Sequence, residues 1–362
     1  MKARVKSIYR HLDGKVDAIV IGNSTDPHLD ATFYYATGIP SGLFESCAAF
    51  LHPDGGIDLL CSQLEREAAS KSGLPITTFM TRRQLFKGLR RYLDGHRRIG
   101  INFEEITHNY ATRLKKLAPR ARFVNVSEAI KAARLVKDEQ EIALVKKACD
   151  IASKAFEDLL PKVGKGRRES DLAAELVYIM QKRGASGESF TTIVGSGPNG
   201  AEPHYTAGDR KLQKGDLVVF DWGARYKRYV SDITRTVVVG RASERQRKMH
   251  AVVAQAQKAA FARMRKGAKA VAVDKAARDL IDRTEFKGKF IHSLGHSIGL
   301  AVHDGPGFAP ASKVVCKPGM IFTNEPGVYI SGYGGVRIED DVLITAGGPK
   351  YLTSVDRGLL EV

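Results

Sequence analysis

Two stretches of this 362-residue chain, about a hundred residues apart, read as copies of one acid-bearing β-hairpin. The first runs from Lys214 to Thr236 and the second from Pro318 to Glu339. In each copy one acid lies six positions after a glycine, at the end of an apolar run that predicts a buried strand, and a second acid falls in the next predicted strand. The four acids are Asp221, Asp232, Glu325 and Glu339. These repeats predict a fold in which two hairpins bring four carboxylates into one region.

Four carboxylates inside a core are strongly unfavourable unless cations neutralise them, because a desolvated anion loses hydration and like charges repel. Two divalent ions would cancel this charge. The candidate for a fifth ligand, His296, lies between Gly295 and Gly299, whose missing side chains let the backbone approach a site closely. A mostly oxygen shell with one imidazole suits Mn²⁺ or Co²⁺ and also accepts Zn²⁺. The sequence therefore predicts a site for two divalent metals.

Four motifs follow one another in a fixed order. They are Asp-x10-Asp from Asp221, Gly-His-Ser-x-Gly around His296, Asn-Glu-Pro-Gly at Glu325 and Val-Arg-Ile-Glu-Asp at Glu339. Together they resemble the pita-bread metallopeptidases, and the resemblance covers the whole chain. Arg337, two residues before Glu339, is typical of the Xaa-Pro peptidase branch, which includes aminopeptidase P and prolidase. The resemblance implies an α/β fold, with a small amino-terminal creatinase-like α/β domain before a pseudo-twofold pita-bread catalytic domain.

The resemblance also implies roles for individual residues. The metal ligands would be Asp221, Asp232, His296, Glu325 and Glu339. The catalytic residues would be His204, which stabilises the tetrahedral intermediate, His303, which binds or protonates the residue after the scissile bond, and Glu325, a ligand that doubles as general base. His292 and Phe190 would wall a slot for a proline ring, and Arg337 would support a ligand carboxylate from the same strand face as Glu339.

The implied substrates are proline-containing peptides, cleaved before proline. We expect an Xaa-Pro aminopeptidase, with an Xaa-Pro dipeptidase (prolidase) as the alternative and a non-catalytic pita-bread binding protein as a remote one. A dipeptidase needs a receptor for the terminal carboxylate of its substrate, such as an arginine, and the sequence contains too many arginines to single one out. We also expect a homodimer.

Several of these residues have simpler interpretations. Asp221 could be a turn residue, and Phe190 could belong to the core. Arg337 could form an ordinary cross-strand ion pair, and Asp340 with its neighbours could form an exposed acidic edge. His292 and His296 have the spacing of a helical zinc pair, although the glutamate of that motif is absent. Five potential ligands in the order of one family outweigh these readings.

The formal charge of +17 raises the question of a nucleic-acid partner. Between Arg82 and Arg122, twelve Lys or Arg residues stand against three acids. The basic residues alternate with apolar ones at helical spacing, which favours a solvated helix face, so neither nucleic acid nor a membrane is expected as a partner. The four cysteines show no pairing pattern and predict buried thiols of a reducing compartment, from which we expect a cytoplasmic protein.

The domain organisation follows from the order of predicted elements. Strand-like runs alternate with helical stretches up to about Val126, which predicts a small α/β domain at 1–126 and a catalytic domain at 127–362. In the second domain we predict three long helices. They span about Asp138 to Leu160, Ser170 to Arg183 and Ser243 to Met264.

Overall fold

The chain divides into two units, Met1–Arg134 and Leu135–Val362, in a computed structural model that describes all of residues 1–362. The division falls at the end of a helix, Ser127–Leu135, which begins just after the domain boundary predicted at Val126. Both units mix helices with strands, in agreement with the predicted α/β class.

The first unit is built on a mixed six-stranded sheet in the order β4-β3-β2-β1-β5-β6. Its strands are β1 Ala18–Gly22, β2 Ala48–Leu51, β3 Ile57–Ser62, β4 Ile76–Phe79, β5 Arg98–Ile101 and β6 Arg122–Asn125. Its helices are α1 Lys2–Arg10, α2 Ala31–Thr37, α3 Arg66–Ser70, α4 Arg82–Leu93, α5 His108–Leu117 and α6 Ser127–Leu135. Strands β1, β5 and β6 are parallel, whereas β2 is antiparallel to both of its neighbours.

The first part of the basic stretch, in α4, is a solvated helix face, as its spacing predicted. Helix α4 begins with a capping box in which Thr81 and Gln84 exchange hydrogen bonds. It buries Leu85, Leu89 and Leu93, while its basic side chains point outward. The exposed cations of this helix are Arg82, Arg83, Lys87, Arg90 and Arg91.

The second unit contains two helix pairs. Its helices are α7 Glu139–Leu159, α8 Glu169–Lys182, α9 Glu244–Arg263 and α10 Ala270–Asp282. Capping boxes start α7 at Asp138 and α9 at Ser243, and the predicted bounds of α7, α8 and α9 all lie within one residue of the observed ones. Helix α7 packs against α8, and α9 packs against α10.

Each helix pair is followed by a nested set of strands. The strands are β7 Gly187–Glu188, β8 Ile193–Ser196, β9 Leu217–Trp222, β10 Ala224–Tyr226, β11 Tyr229–Val230, β12 Ile233–Val238, β13 Ile321–Asn324, β14 Gly327–Ile330, β15 Gly334–Arg337, β16 Asp340–Thr345, β17 Gly348–Tyr351 and β18 Leu360–Glu361. Outer strands β9 and β12 pair around the inner hairpin β10–β11, and β13 and β16 pair around β14–β15. The sequence repeat is therefore visible as a repeated topology.

Two apolar cores lie between helices and strands of this unit. Phe156 of α7 and Leu176 of α8 pack with Phe220 of β9, and Val253 of α9 packs with Phe322 of β13. All four cysteines of the chain are buried free thiols, as predicted. No helix has both the length and the apolar character to cross a membrane.

Candidate active site and metal centre

A cavity of about 520 Å³ opens in the second unit, where the outer strands of the two nested sets meet their inner hairpins. All ten residues that the sequence singled out line it. They are Phe190, His204, Asp221, Asp232, His292, His296, His303, Glu325, Arg337 and Glu339. Residues that are up to 149 positions apart in the chain (190 to 339) thus meet in one place.

The acids lie where each outer strand gives way to the inner hairpin. Asp221 is in β9, as predicted, and Glu325 follows the last residue of β13. The prediction that the second acid of each copy lies within a strand was wrong, because Asp232 precedes β12 and Glu339 falls between β15 and β16. Because Asp232 and Glu339 are not paired in a strand, their backbone is not bound to strand geometry, and their carboxylates can face the same cavity. The backbone N–H of Glu339 donates instead to the carbonyl of Thr234, 3.0 Å away.

Three of the five proposed ligands form a tight donor cluster. Asp232, His296 and Glu339 each offer one atom within 4.8 Å of the others. His296 Nε2 lies 3.5 Å from Asp232 Oδ2 and 3.4 Å from Glu325 Oε1, which links the fourth residue to the cluster. Asp221 adjoins it from the side of Arg337, whose Nη2 donates to Asp221 Oδ2 at 2.6 Å.

Close backbone packing positions His296. A Cβ at Gly295 would lie 2.2 Å from the carbonyl oxygen of Thr323, and one at Gly307 would lie 2.2 Å from that of Gly295. Neither position can accept a side chain without moving the backbone. The amide of His296 donates to Thr323 Oγ1 at 3.0 Å, so this segment is held against β13.

Burial strongly affects the titration of the cluster. It raises the pKa of Asp232 well above its usual range, and the nearby Glu339 carboxylate raises it further. It raises the pKa of Glu339 in the same way, with Glu325 adding to the effect, and it raises the pKa of Glu325 to about 8. Burial lowers the pKa of His296 to about 4, so its imidazole is neutral, which is the form that binds metals.

The carboxylates also have unused acceptor atoms. Asp221 Oδ1, Asp232 Oδ1 and Glu339 Oε1 are buried and have no hydrogen-bond partner. A buried acceptor without a donor costs about 1–3 kcal/mol, and more when it is charged. Divalent cations would satisfy these atoms and favour the ionised carboxylates, so the residues present fit the metal site that the motifs predict.

Arg337 connects the two copies. It pairs with Asp221 of the other copy, so it contacts one of the proposed ligand carboxylates, as expected. Its Nε donates to Thr234 Oγ1 at 2.9 Å, and that hydroxyl donates to Glu339 Oε2 at 2.6 Å. One guanidinium therefore orients an acid from each copy, directly for one and through a threonine for the other.

The sequence did not identify three supporting residues. Thr234 bonds Glu339 as above, and Thr323 Oγ1 donates to Glu325 Oε1 at 3.1 Å. A signal for both was available, since each threonine lies two positions from an acid of its own copy. Tyr329 left no such signal. Its hydroxyl lies 2.9 Å from His292 Nε2 and accepts from Arg337 Nη1 at 2.8 Å.

The simpler interpretations of two features do not hold. Asp340 and Asp341 are fully buried, so there is no exposed acidic edge. His292 and His296 lie in an irregular segment and not on a helix, so they do not form a helical zinc pair. The ring of His303 lies 4.2 Å from that of His296, centroid to centroid, and faces the same cavity.

Comparisons with known proteins agree with this geometry. The model of metallopeptidase family M24 matches residues 143–346, and that of the creatinase/prolidase N-terminal domain matches residues 4–136. The Xaa-Pro dipeptidase of Pyrococcus horikoshii is 36% identical over 99% of this chain and 99% of its own.

Two solved structures are similar over nearly their full length. The prolidase from Pyrococcus horikoshii OT3 has a TM-score of 0.90 at 36% identity, covering 99% of this chain and 100% of that one. The X-Pro aminopeptidase from Thermotoga maritima has a TM-score of 0.91 at 30% identity, covering 98% and 99%. These matches confirm the predicted family and fold class, and the chain belongs to metallopeptidase family M24.

Proposed function

We propose that this metallopeptidase hydrolyses Xaa-Pro dipeptides. The main observation in support of metal-dependent hydrolysis is the cluster of Asp232, His296 and Glu339, with its unsatisfied buried oxygens. The sequence favoured an aminopeptidase, with a dipeptidase as the alternative. Relatives named Xaa-Pro dipeptidase or prolidase match over almost the whole chain, so the comparisons favour that alternative.

The proposed cofactor is a pair of divalent ions, with Mn²⁺ first and Co²⁺ or Zn²⁺ as alternatives. The residues that would hold them are Asp221, Asp232, His296, Glu325 and Glu339. Such ions, when bound, supply positive charge that keeps the carboxylates ionised, and they lower the pKa of water toward neutrality.

The other residues of the cavity would bind and orient the peptide. Glu325 would take the proton of the attacking water, since it lies beside the donor cluster, 3.4 Å from His296 Nε2, and Thr323 Oγ1 donates to one of its oxygens. His204 would donate a hydrogen bond to the carbonyl oxygen as it becomes negative. His303 would contact the residue after the scissile bond, and Phe190 with His292 would wall the proline slot.

One observation favours a second candidate, an Xaa-Pro aminopeptidase that acts on longer peptides. Arg337 is the only arginine that lines the cavity, and no lysine lines it. Its three nitrogens already donate to Thr234, Tyr329 and Asp221. A dipeptide carboxylate would therefore rely on neutral donors such as the histidines, whereas a longer peptide needs no charged receptor there.

The test compares three substrates that share one Xaa-Pro bond: the free dipeptide, its carboxyl-terminal amide and an Xaa-Pro-Yaa tripeptide. With Mn²⁺, we expect hydrolysis that a chelator abolishes. A dipeptidase should prefer the free acid to the amide by roughly 10-fold or more, because a charge-assisted contact contributes about 1.5–3 kcal/mol. Hydrolysis of the tripeptide at least as fast as that of the free dipeptide would favour the aminopeptidase. No cleavage with Mn²⁺, Co²⁺ or Zn²⁺ by folded protein would reject both.

A further inference from the structure

Glu169 carries a fully buried carboxylate that lies outside the cavity and has no part in the chemistry described above. It is the first residue of α8, where the helix dipole favours an anion. Oxygen Oε1 accepts from the amide and hydroxyl of Ser196, at 2.7 and 2.6 Å. Asn199 Nδ2 bridges both oxygens at 3.1 and 3.2 Å, and the Tyr205 hydroxyl donates to Oε2 at 2.9 Å.

These donors all belong to one segment, residues 196–206, which contains His204. Ser196 ends β8, Asn199 lies in the 3-10 turn Gly197–Ala201, and Tyr205 directly follows His204. Asn199 Nδ2 also lies 2.8 Å from the Tyr205 hydroxyl, so the side chains form one connected network around the carboxylate.

Other residues of this segment pack against the strand that carries Arg337. A Cβ at Gly335 would lie 2.0 Å from the carbonyl oxygen of Gly200, so the two backbones touch. Arg337 Nη2 lies 3.5 Å from the carbonyl oxygen of Pro203, the residue before His204. The segment thus contacts both β15 and the carboxylate of Glu169.

The strength of these contacts exceeds that of ordinary loop contacts. Hydrogen bonds to a charged group contribute about 1.5–3 kcal/mol each, roughly twice the value for neutral pairs. A displacement of about 1 Å in a group that stabilises a transition state can cost 10²-fold in rate. A rigid anchor next to His204 therefore has a direct consequence for turnover.

We propose that Glu169 is a positioning residue for His204, acting through Asn199 and Tyr205. The proposal rests on the proposed function in that it assigns His204 to the reacting carbonyl. Glu169 touches neither the substrate nor a proposed ligand, so its effect should appear in kcat and not in metal content.

The first experiment compares Glu169→Gln with Asp171→Asn, which removes the same charge from an exposed side chain of the same helix. Glutamine keeps the shape of the Glu169 side chain, but its amide group places an N–H₂ donor against the donors of Ser196, Asn199 and Tyr205. We expect kcat on the Xaa-Pro substrate to fall about 10-fold, below the 10²-fold of a full displacement, with KM and bound metal within twofold of wild type. Asp171→Asn should behave like wild type. An unchanged kcat, or an equal loss in the control, would overturn the proposal.

A second comparison separates positioning from general destabilisation. In a His204→Ala background, Glu169→Gln should change kcat by less than about twofold, because the group that it positions is gone. A full 10-fold loss in that background would show that Glu169 acts by another route. If Glu169→Gln does not fold, Tyr205→Phe, which removes one donor and keeps the carboxylate, takes its place with a smaller expected loss.

A third readout does not depend on catalysis. Hydrogen exchange of residues 196–206 should be faster in Glu169→Gln than in wild type, whereas exchange of β9 should not change. Hydrogen exchange can be measured even if no Xaa-Pro substrate is cleaved. A failure of the proposed function can therefore be distinguished from a failure of the positioning role. Unchanged exchange of 196–206 would overturn the positioning role.

Discussion

Arg337 holds three parts of the candidate site together through one side chain. Its guanidinium donates to Asp221, Thr234 and Tyr329, and the side chain is 3% exposed. A lysine would keep the positive charge but could occupy only one of these directions, because its ammonium is a point charge on a flexible stem.

We expect Arg337→Lys to fold and to lose metal affinity or kcat/KM by about 10- to 100-fold, the usual scale for residues that orient a ligand. Bound metal and kcat/KM would be measured side by side. Arg183→Lys is the control, since Arg183 pairs with Asp158 at the surface. Wild-type metal content and kinetics in Arg337→Lys would remove this residue from the site.

His250 gives a pH dependence that is independent of the cavity. Burial lowers its pKa to about 4 and Arg235 lowers it further, while Asp356 has a smaller opposite effect. The unfolded chain then binds a proton that the folded chain does not. The stabilising contribution of the neutral imidazole is therefore complete above pH ~6.5 and is lost as the pH falls toward 4.

We expect the wild type to lose about 2 kcal/mol more stability between pH 7 and pH 4.5 than His250→Leu, which cannot take up this proton. Denaturant unfolding at both pH values would measure the difference. The exposed His108 supplies the control variant His108→Leu. Parallel pH profiles for wild type and His250→Leu would contradict the expectation.

The sequence predicted the residues of the candidate site better than their local structure. Acid spacing and motif order were sufficient to name side chains that the structure places around one cavity. They did not indicate that the strands break at Asp232 and Glu339, because periodicity reports burial and not the point where pairing stops. Tyr329 and Glu169 were missed because their partners, Arg337 and Tyr205, are selected by three-dimensional packing alone.

At the scale of elements, the two nested strand sets are joined by a buried ion pair. Arg235 of β12 donates to Asp340 of β16 at 2.8 Å, and these side chains are 2% and 0% exposed. Arg235 also donates to the carbonyls of Glu339 and Asp356. It therefore ties the first strand set both to the second and to the carboxyl-terminal segment.

Removing Arg235 leaves the buried Asp340 with Arg357 as its remaining arginine partner. It also takes donors from the carbonyls of Glu339 and Asp356. Because each buried acceptor that loses its donor costs about 1–3 kcal/mol, we expect Arg235→Met to lower the free energy of unfolding by about 3 kcal/mol or more. Arg247→Met, which breaks the exposed pair with Glu361, should cost about 0–1 kcal/mol. Trp222, the single tryptophan of the chain, is buried in β9 and would report unfolding of this unit. Comparable losses in the two variants would show that Arg235 is not a specific link.

The predictability of the elements follows their local signals. Helices α7 and α9 begin at capping boxes that can be recognised in the sequence, and α8, which has no side-chain cap, was predicted equally closely from its apolar spacing. The inner hairpins were not predicted as separate elements. Strand β11 has two residues and β15 contains two glycines, which leaves too little alternation to reveal a strand.

At the scale of the whole molecule, the question is where the first folding unit ends. The predicted boundary at Val126 assigned the helix Ser127–Leu135 to the catalytic domain. In the structure this helix forms hydrogen bonds with other residues of the first unit. Ser127 Oγ donates to Asn102 at 2.8 Å, and the Tyr35 hydroxyl donates to the carbonyl of Ala133 at 3.1 Å.

We therefore propose that residues 1–134 form the amino-terminal folding unit, and we expect that fragment to be more stable than 1–126 by about 3 kcal/mol or more. Ile130, buried at 2% exposure, alone contributes about 1.5–3 kcal/mol. The shorter fragment also lacks the buried Ala129 and Ala133, which add to this apolar burial. Urea unfolding of both fragments, followed by circular dichroism, would measure the difference. Equal midpoints and slopes would show that α6 adds nothing to the first unit and would support a boundary at Val126.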